Sequence, residues 1–200
     1  MAYTRAQDVQ VDAWATIGND GWSWASLWPY YLKHEAFIAP NQTEQEAGVS
    51  YNPAYHGLTG PLDVGFLEMP RDKLSPLLNK TYQALGVPWT RDVNGGRMRG
   101  YNIFPWTVAV ADGVREDAAR AYYYSFKSRP NLGVLVNTMA NRIVWKNRSD
   151  DGKVTADGVE VIPLNGEHVC VFQARNEVIL SAGSLRSPGI LELSGVGNPR

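Results

Sequence analysis

The stretch Val178-Ile179-Leu180-Ser181-Ala182-Gly183-Ser184 constrains the fold of this chain more than any other. Three consecutive apolar residues, two of them β-branched, fall into four tiny ones. Apolar positions without alternation mark a strand covered on both faces, as in a parallel sheet with helices above and below it. After the tiny residues the sequence predicts a helix, with Ser187-Pro188 as cap and first residue, Ile190, Leu191 and Leu193 as its inward face, and Ser194-Gly195 as its stop. Strand, small residues, helix is the geometry found at the carboxyl edge of an open α/β sheet, where ligands bind in the crevice outside the strand ends. Side chains this small let a ligand touch backbone. Any tight strand-to-helix connection looks the same, so the tiny residues alone leave both readings open.

The rest of the chain divides at about Pro130. Beyond it the apolar pattern has period two, and residues 132–140, 141–147, 156–164, 167–174 and 176–183 read as five successive strands separated by turn residues such as Gly152 and Asn165-Gly166. Before it the sequence is rich in Trp, Tyr, Pro and Gly and predicts short helices between loops. One begins near Ser23 or Ser26 and carries Leu27, Tyr30, Tyr31 and His34 on a packing stripe; a second starts at Ser75-Pro76, with Leu77, Leu78, Tyr82 and Leu85 as its apolar face and Gly86 and Pro88 as its stop. A third spans 114–126, its acidic residues at the end where the helix dipole favours them. The expected architecture is mixed α/β, with residues 1–130 mostly helical and residues 131–200 rich in strands.

Charge excludes some partners. Nineteen Lys and Arg stand against 20 Asp and Glu, with no long block of one sign, so the electrostatic footprint of a nucleic-acid binder is missing. No window approaches the roughly 18 uninterrupted apolar residues of a membrane-spanning helix. The one cysteine, Cys170, lies between valines and reads as a small buried hydrophobe. Three N-x-S/T triplets, at Asn41, Asn79 and Asn147, lean weakly toward a secreted protein.

The residues 183–197, Gly-Ser-Leu-Arg-Ser-Pro-Gly-Ile-Leu-Glu-Leu-Ser-Gly-Val-Gly, resemble position by position the second signature of the glucose–methanol–choline (GMC) oxidoreductases. The resemblance continues over essentially the whole chain, through the opening 35 residues, residues 92–108, 114–123 and 129–147. It implies a partial FAD/NAD(P)-binding Rossmann-like domain of GMC type with part of the substrate domain. Residues 1–130 would link the FAD domain to the substrate domain, and residues 131–200 would return to the FAD-binding domain. Within the family the wording is nearest to FAD-dependent glucose dehydrogenases and next to glucose oxidase. Cysteines expected of the oxidase near Tyr55–Gly57 and Val93–Gly96 are not in this sequence, which favours the dehydrogenase.

The resemblance implies FAD as cofactor, a sugar or alcohol as substrate, hydride passing from the sugar C1 to flavin N5, and a quinone, dye or oxygen as electron acceptor. It implies secretion as well. Cofactor contacts carry over to Met1 and Ala2, in a turn packed along the flavin; to Ala140, facing the adenine end; and to Ala182 and Gly183, the bare turn itself. The family's G-x-G-x-x-G and its catalytic histidine match nothing between residues 1 and 200, and are expected upstream and downstream. His34, on a helix stripe, His56, in a Tyr-His-Gly loop, and His168, in a strand, read as structural or surface residues. No catalytic residue and no metal ligand is assigned. The reading of another class is a partial chain that by itself holds no FAD and has no activity.

Overall fold

A computed structural model describes residues 2–67, 74–146, 154–164, 166 and 168–197. The chain forms two compact units, Met1–Leu132 and Gly133–Arg200.

The first unit contains helices α1 (Asp8–Thr16), α2 (Trp24–His34), α3 (Gln42–Glu46) and α4 (Leu74–Ala84). Local chemistry sets their starts. The Gln10 side chain accepts the Gln7 N–H at the head of α1, Ser23 accepts from the Ser26 N–H at the head of α2, and Asn41 with Glu44 forms a reciprocal capping box on α3. The expected third helix is reduced to a wide π-type segment at Arg120–Tyr124, preceded by one helical turn start at Ala118. The predicted packing stripes are only partly used: α2 and α4 contain no buried residue, and Tyr30, Leu77 and Leu85 are largely exposed.

A sheet that the sequence reading did not contain runs through this unit. Its strands β1 (Glu35–Phe37), β2 (Leu62–Gly65), β3 (Trp106–Ala109) and β4 (Val114–Arg115) lie in that order, the first pair parallel and the others antiparallel. Strands of two to four residues are too short to register as a periodic pattern. β1 follows α2 without an intervening residue, so the helix delivers Glu35 directly into the sheet. The core gathers on it: Phe37, Val49, Leu62, Val64, Phe66 and Ala121 are buried together, with Tyr3, Tyr51 and Ile103 packed against them.

The second unit is a three-stranded antiparallel sheet, β5 (Thr138–Trp145), β6 (Ala156–Pro163) and β7 (Cys170–Gln173), with helix α5 (Gly183–Leu193) against β5. Five expectations change here. The first two predicted strands merge into the single β5, and residues 133–137 stay outside it. Residues 177–181 form no strand: a strand needs neighbours for its N–H and C=O groups, no described strand pairs with them, and Ile179 is 76% exposed. α5 begins at Gly183, four residues before the predicted Ser187, and carries Pro188 inside it. Cys170 is exposed on β7, not buried, and His168 precedes the strand instead of lying in it.

Candidate functional site: a bare turn and a buried charge cluster

The bare turn is open. Ala182 caps α5 with φ −82° and ψ 8°, and Gly183, the first helical residue, has φ +88°, a left-handed conformation that glycine adopts without strain. A Cβ built on Gly183 would meet nothing within 4 Å. Ser187 still acts as a cap, but on an earlier group than expected: its Oγ accepts the Ala182 N–H at 3.0 Å. The next N–H groups of the first turn have no partner within the helix, and a helix N-terminus with such groups favours an anionic ligand.

The other end of α5 is pinned. Ser194 Oγ accepts the Ile143 N–H at 2.7 Å and donates to the Ile190 carbonyl, while its own carbonyl accepts the Trp145 indole N–H at 2.6 Å. Gly195 then takes φ +81° and ends the helix. So the Ser194-Gly195 of the signature locks α5 onto β5 and leaves its opposite end exposed.

The remaining residues predicted to meet a cofactor are placed as follows. Ala140 is exposed on β5 at a register shift between Ala140 and Arg142. Ala2 is exposed and bridges to Trp106, the first residue of β3. Met1 lies outside the described residues. Ala140, Ala182 and Gly183 belong to the second unit and Ala2 to the first. Each of the four has little side chain and is exposed.

The first unit holds a second constellation that sequence reasoning missed. Arg5, Glu35, His56 and Asp92 form a continuous buried chain of charges. Arg5 Nη2 donates to Glu35 Oε2 at 2.8 Å, Glu35 Oε1 lies 2.9 Å from His56 Nδ1, and His56 Nε2 lies 2.8 Å from Asp92 Oδ2. Side-chain exposure is 3% or less throughout. Each member is held by backbone as well: Arg5 Nη1 donates to the carbonyls of Tyr55 and Asn94, the Gly57 N–H donates to Glu35, and Asp92 accepts from the N–H groups of Asn52 and Asn94.

Both ring nitrogens of His56 face carboxylate oxygens, and a neutral imidazole has only one N–H to offer. Burial alone pulls the His56 pKa down, but the hydrogen bonds and charges of Asp92 and Glu35 outweigh it, and the net shift is upward. For Asp92 burial pulls upward, and the bonds from His56, Asn52 and Asn94 bring it below the usual carboxylate range. Both directions describe an imidazolium between two carboxylates, with Arg5 completing a cluster of zero net charge.

Aromatic rings enclose the cationic end. The Arg5 guanidinium carbon lies 5.1 Å from the Trp28 ring centre, 5.2 Å from that of Tyr31 and 5.8 Å from that of Tyr3, within the range where ring faces attract a cation. The Phe37 ring stacks on His56 at 3.7 Å. His34, half-buried at the end of α2, stacks on Tyr122 and hydrogen-bonds its hydroxyl through Nδ1. Burial lowers the His34 pKa, and nothing beside it resembles a reaction partner. His168 is exposed.

No spacing rule links residues 5, 35, 56 and 92, and no local motif announces the cluster. The one available signal is the Tyr-His-Gly loop, in which Gly57 passes so close to the end of α2 that an added Cβ would lie 1.8 Å from the Leu32 carbonyl oxygen.

Residues 1–200 match the GMC oxidoreductase family. The chain belongs to that family. It is 41% identical over 189 residues to the glucose oxidase-like protein fsoC of Humicola fuscoatra, covering 94% of this chain and 32% of the relative, and 37% identical over 202 residues to a glucose oxidase of Aspergillus carbonarius, covering 98% and 32%. Among solved structures it superposes with a TM-score of 0.88 on an FAD-dependent oxidoreductase from Chaetomium thermophilum, at 29% identity over 98% of this chain and 33% of the other, and of 0.84 on a fungal aryl-alcohol oxidase, at 27% identity over 98% and 33%. This GMC oxidoreductase chain therefore spans about a third of the length of the relatives it matches. The family and its FAD-dependent neighbours identify FAD as the cofactor. Among the described residues no helix is long and apolar enough to cross a membrane.

Proposed function

We propose that this chain is the part of an FAD-dependent oxidoreductase acting on CH–OH groups that contributes backbone contacts to the flavin, with glucose as substrate and oxidation at C1 as the reaction. FAD, when bound, supplies the hydride acceptor. The chain's own contribution is to bind and orient: Met1 and Ala2 along the flavin, Ala140 toward the adenine end, and the bare turn of Ala182 and Gly183 against main-chain atoms. No residue between 1 and 200 is assigned to move the substrate's proton. The observation that carries this reading is the match over the full 200 residues to a family of flavin enzymes, together with the side-chain-poor, exposed turn where its signature begins.

Two acceptor preferences compete. A glucose dehydrogenase passing electrons to a quinone or dye is favoured by the lack of cysteine near Tyr55–Gly57 and Val93–Gly96. A glucose oxidase, using oxygen, is favoured by the glucose oxidases and the glucose oxidase-like protein among the relatives. The full-length protein assayed with glucose and a dye, with and without oxygen, separates them: dye reduction unaffected by oxygen identifies the dehydrogenase, and peroxide formation identifies the oxidase.

Secretion is part of the proposal. Asn41 is exposed at the head of α3, where its Oδ1 accepts the Glu44 N–H. Asn79 lies half-buried on α4, with its Oδ1 accepting from Gln83. Glycosidase treatment of protein secreted from a eukaryotic host, read as a mass shift, tests the triplets at both sites; Asn147 lies outside the described residues.

A further inference from the structure

We propose that Arg5 and His56 are positioning residues for the flavin-facing start of this chain: a closed, charge-balanced relay of buried side chains holds residues 2–5 in place, and only the imidazolium form of His56 keeps it closed. The inference rests on the reading above that Met1 and Ala2 lie along FAD.

The opening residues have other anchors besides, the Tyr3 ring packed against the core among them. Ala2 bridges to Trp106, the Tyr3 N–H donates to the Pro105 carbonyl, and the Arg5 N–H donates to Asn94 Oδ1. The Arg5 side chain is the deep anchor, since it reaches Tyr55, Asn94 and Glu35 at once. Its hold depends on Glu35 keeping a full negative charge and a fixed orientation. Glu35 is fully buried, and its second oxygen is oriented by His56 Nδ1. His56 is oriented in turn by Asp92 through Nε2, and Asp92 by two backbone N–H groups.

The groups facing His56 are Glu35 from β1, Asp92 from the 91–94 loop, the stacked ring of Phe37 and, at 6.3 Å, that of Tyr51; Arg5 and Tyr3 stand behind Glu35. If His56 loses its second proton, one carboxylate faces a bare nitrogen lone pair and the cluster keeps an unbalanced negative charge with no solvent to screen it. The relay then opens at its centre, and the Arg5 anchor loosens with it.

The test uses the full-length, FAD-loaded protein and three readouts: flavin fluorescence released as a function of pH, the visible flavin band, and circular dichroism for the fold. Wild type is expected to release FAD increasingly as pH rises above the ordinary histidine range, before the helical signal falls. His56→Asn is expected to bind FAD at least about tenfold more weakly, with an altered flavin band and no remaining pH step. Arg5→Lys should keep more of the affinity than Arg5→Gln. Should His56→Asn not fold, Asp92→Asn, which leaves the Glu35 contact in place, is read in the same way and is expected to shift the release to lower pH. Wild-type affinity and band shape in a folded His56→Asn or Asp92→Asn protein, or release of FAD only together with loss of the fold, overturns the inference while leaving the proposed function intact. A full-length protein that carries no flavin overturns both.

Discussion

The buried cluster of the first unit and the bare turn of the second achieve definition in opposite ways. The cluster is fixed by mutual contact: two carboxylates, an imidazolium and a guanidinium meet at 2.8–2.9 Å and exclude solvent, with Arg5 Nε buried beside them and without a hydrogen-bond partner. The turn is fixed by pinning the far end of a helix through Ser194 and leaving the near end free of side chains. A site closed by mutual contact of charges has little freedom to rearrange; a bare site tolerates change until something has to lie on it. Glycine shows the contrast most sharply, because one type of residue serves close approach at Gly57 and openness at Gly183.

The largest effect is therefore expected at Gly57. Its added Cβ would sit 1.8 Å from the Leu32 carbonyl oxygen and 3.0 Å from that of Glu35, both backbone atoms with no rotamer to yield. Gly57→Ala should destabilise by more than about 4 kcal/mol or prevent folding, read as the thermal midpoint or soluble yield of the full-length protein. A near-normal midpoint would show that the loop carrying His56 is slack, and that the cluster is not the closed device its distances describe.

Next comes the charge itself. Glu35→Gln keeps the shape and removes the anion between Arg5 and His56, so two buried cations lose their shared partner; the expected loss is about 3–5 kcal/mol. The pH dependence follows from the same groups. His56 has a raised folded pKa, so its contribution is complete below the ordinary value of about 6.5 and is lost as pH rises through the folded value. Asp92 has a depressed one, so its contribution is complete above about 3.9 and is lost as pH falls through the folded value. Thermal midpoints across pH should show a plateau between those limits that falls on both sides, and Glu35→Gln should flatten the alkaline side. A midpoint that keeps rising above pH 7 contradicts the assignment of His56 as imidazolium.

What could be read beforehand divides along the same line. The bare turn was legible because local sequence writes it: Ala182-Gly183, then a helix ended by Ser194-Gly195, all within fifteen residues. Even there Ser187 caps a different group and α5 starts early, since helix starts are decided by which N–H groups find acceptors. The five-strand reading failed at residues 177–181 because pairing depends on neighbours elsewhere, which no run of apolar residues specifies. The cluster was invisible for a stronger reason. Its contacts join residues 30, 21 and 36 positions apart, and only Glu35 lies on a strand, a three-residue one, while Arg5, His56 and Asp92 sit in loops that carry no period of their own.

Ser194→Ala tests the pin. It removes the acceptor of the Ile143 N–H and one bond to Ile190, and leaves a buried backbone donor unmatched, for an expected loss of about 1–3 kcal/mol. Hydrogen exchange should quicken at Ile143 more than in β7, which the helix end does not touch through these bonds. Equal exchange in both would mean that α5 is held on the sheet by packing alone.

The smallest change in stability, and the most informative about purpose, belongs to Gly183→Ala. The left-handed φ of +88° costs an alanine about 1 kcal/mol, and its methyl group meets nothing within 4 Å, so the unliganded protein should be nearly unharmed. If FAD lies against this backbone, the same methyl group stands where the ligand must, and flavin occupancy of the full-length protein should fall far more than its unliganded thermal midpoint does. Proportionate losses in both would make Gly183 a helix-start glycine and nothing more. A large loss of flavin with a small loss of stability is what distinguishes a surface kept bare for a ligand from one that is merely uncovered.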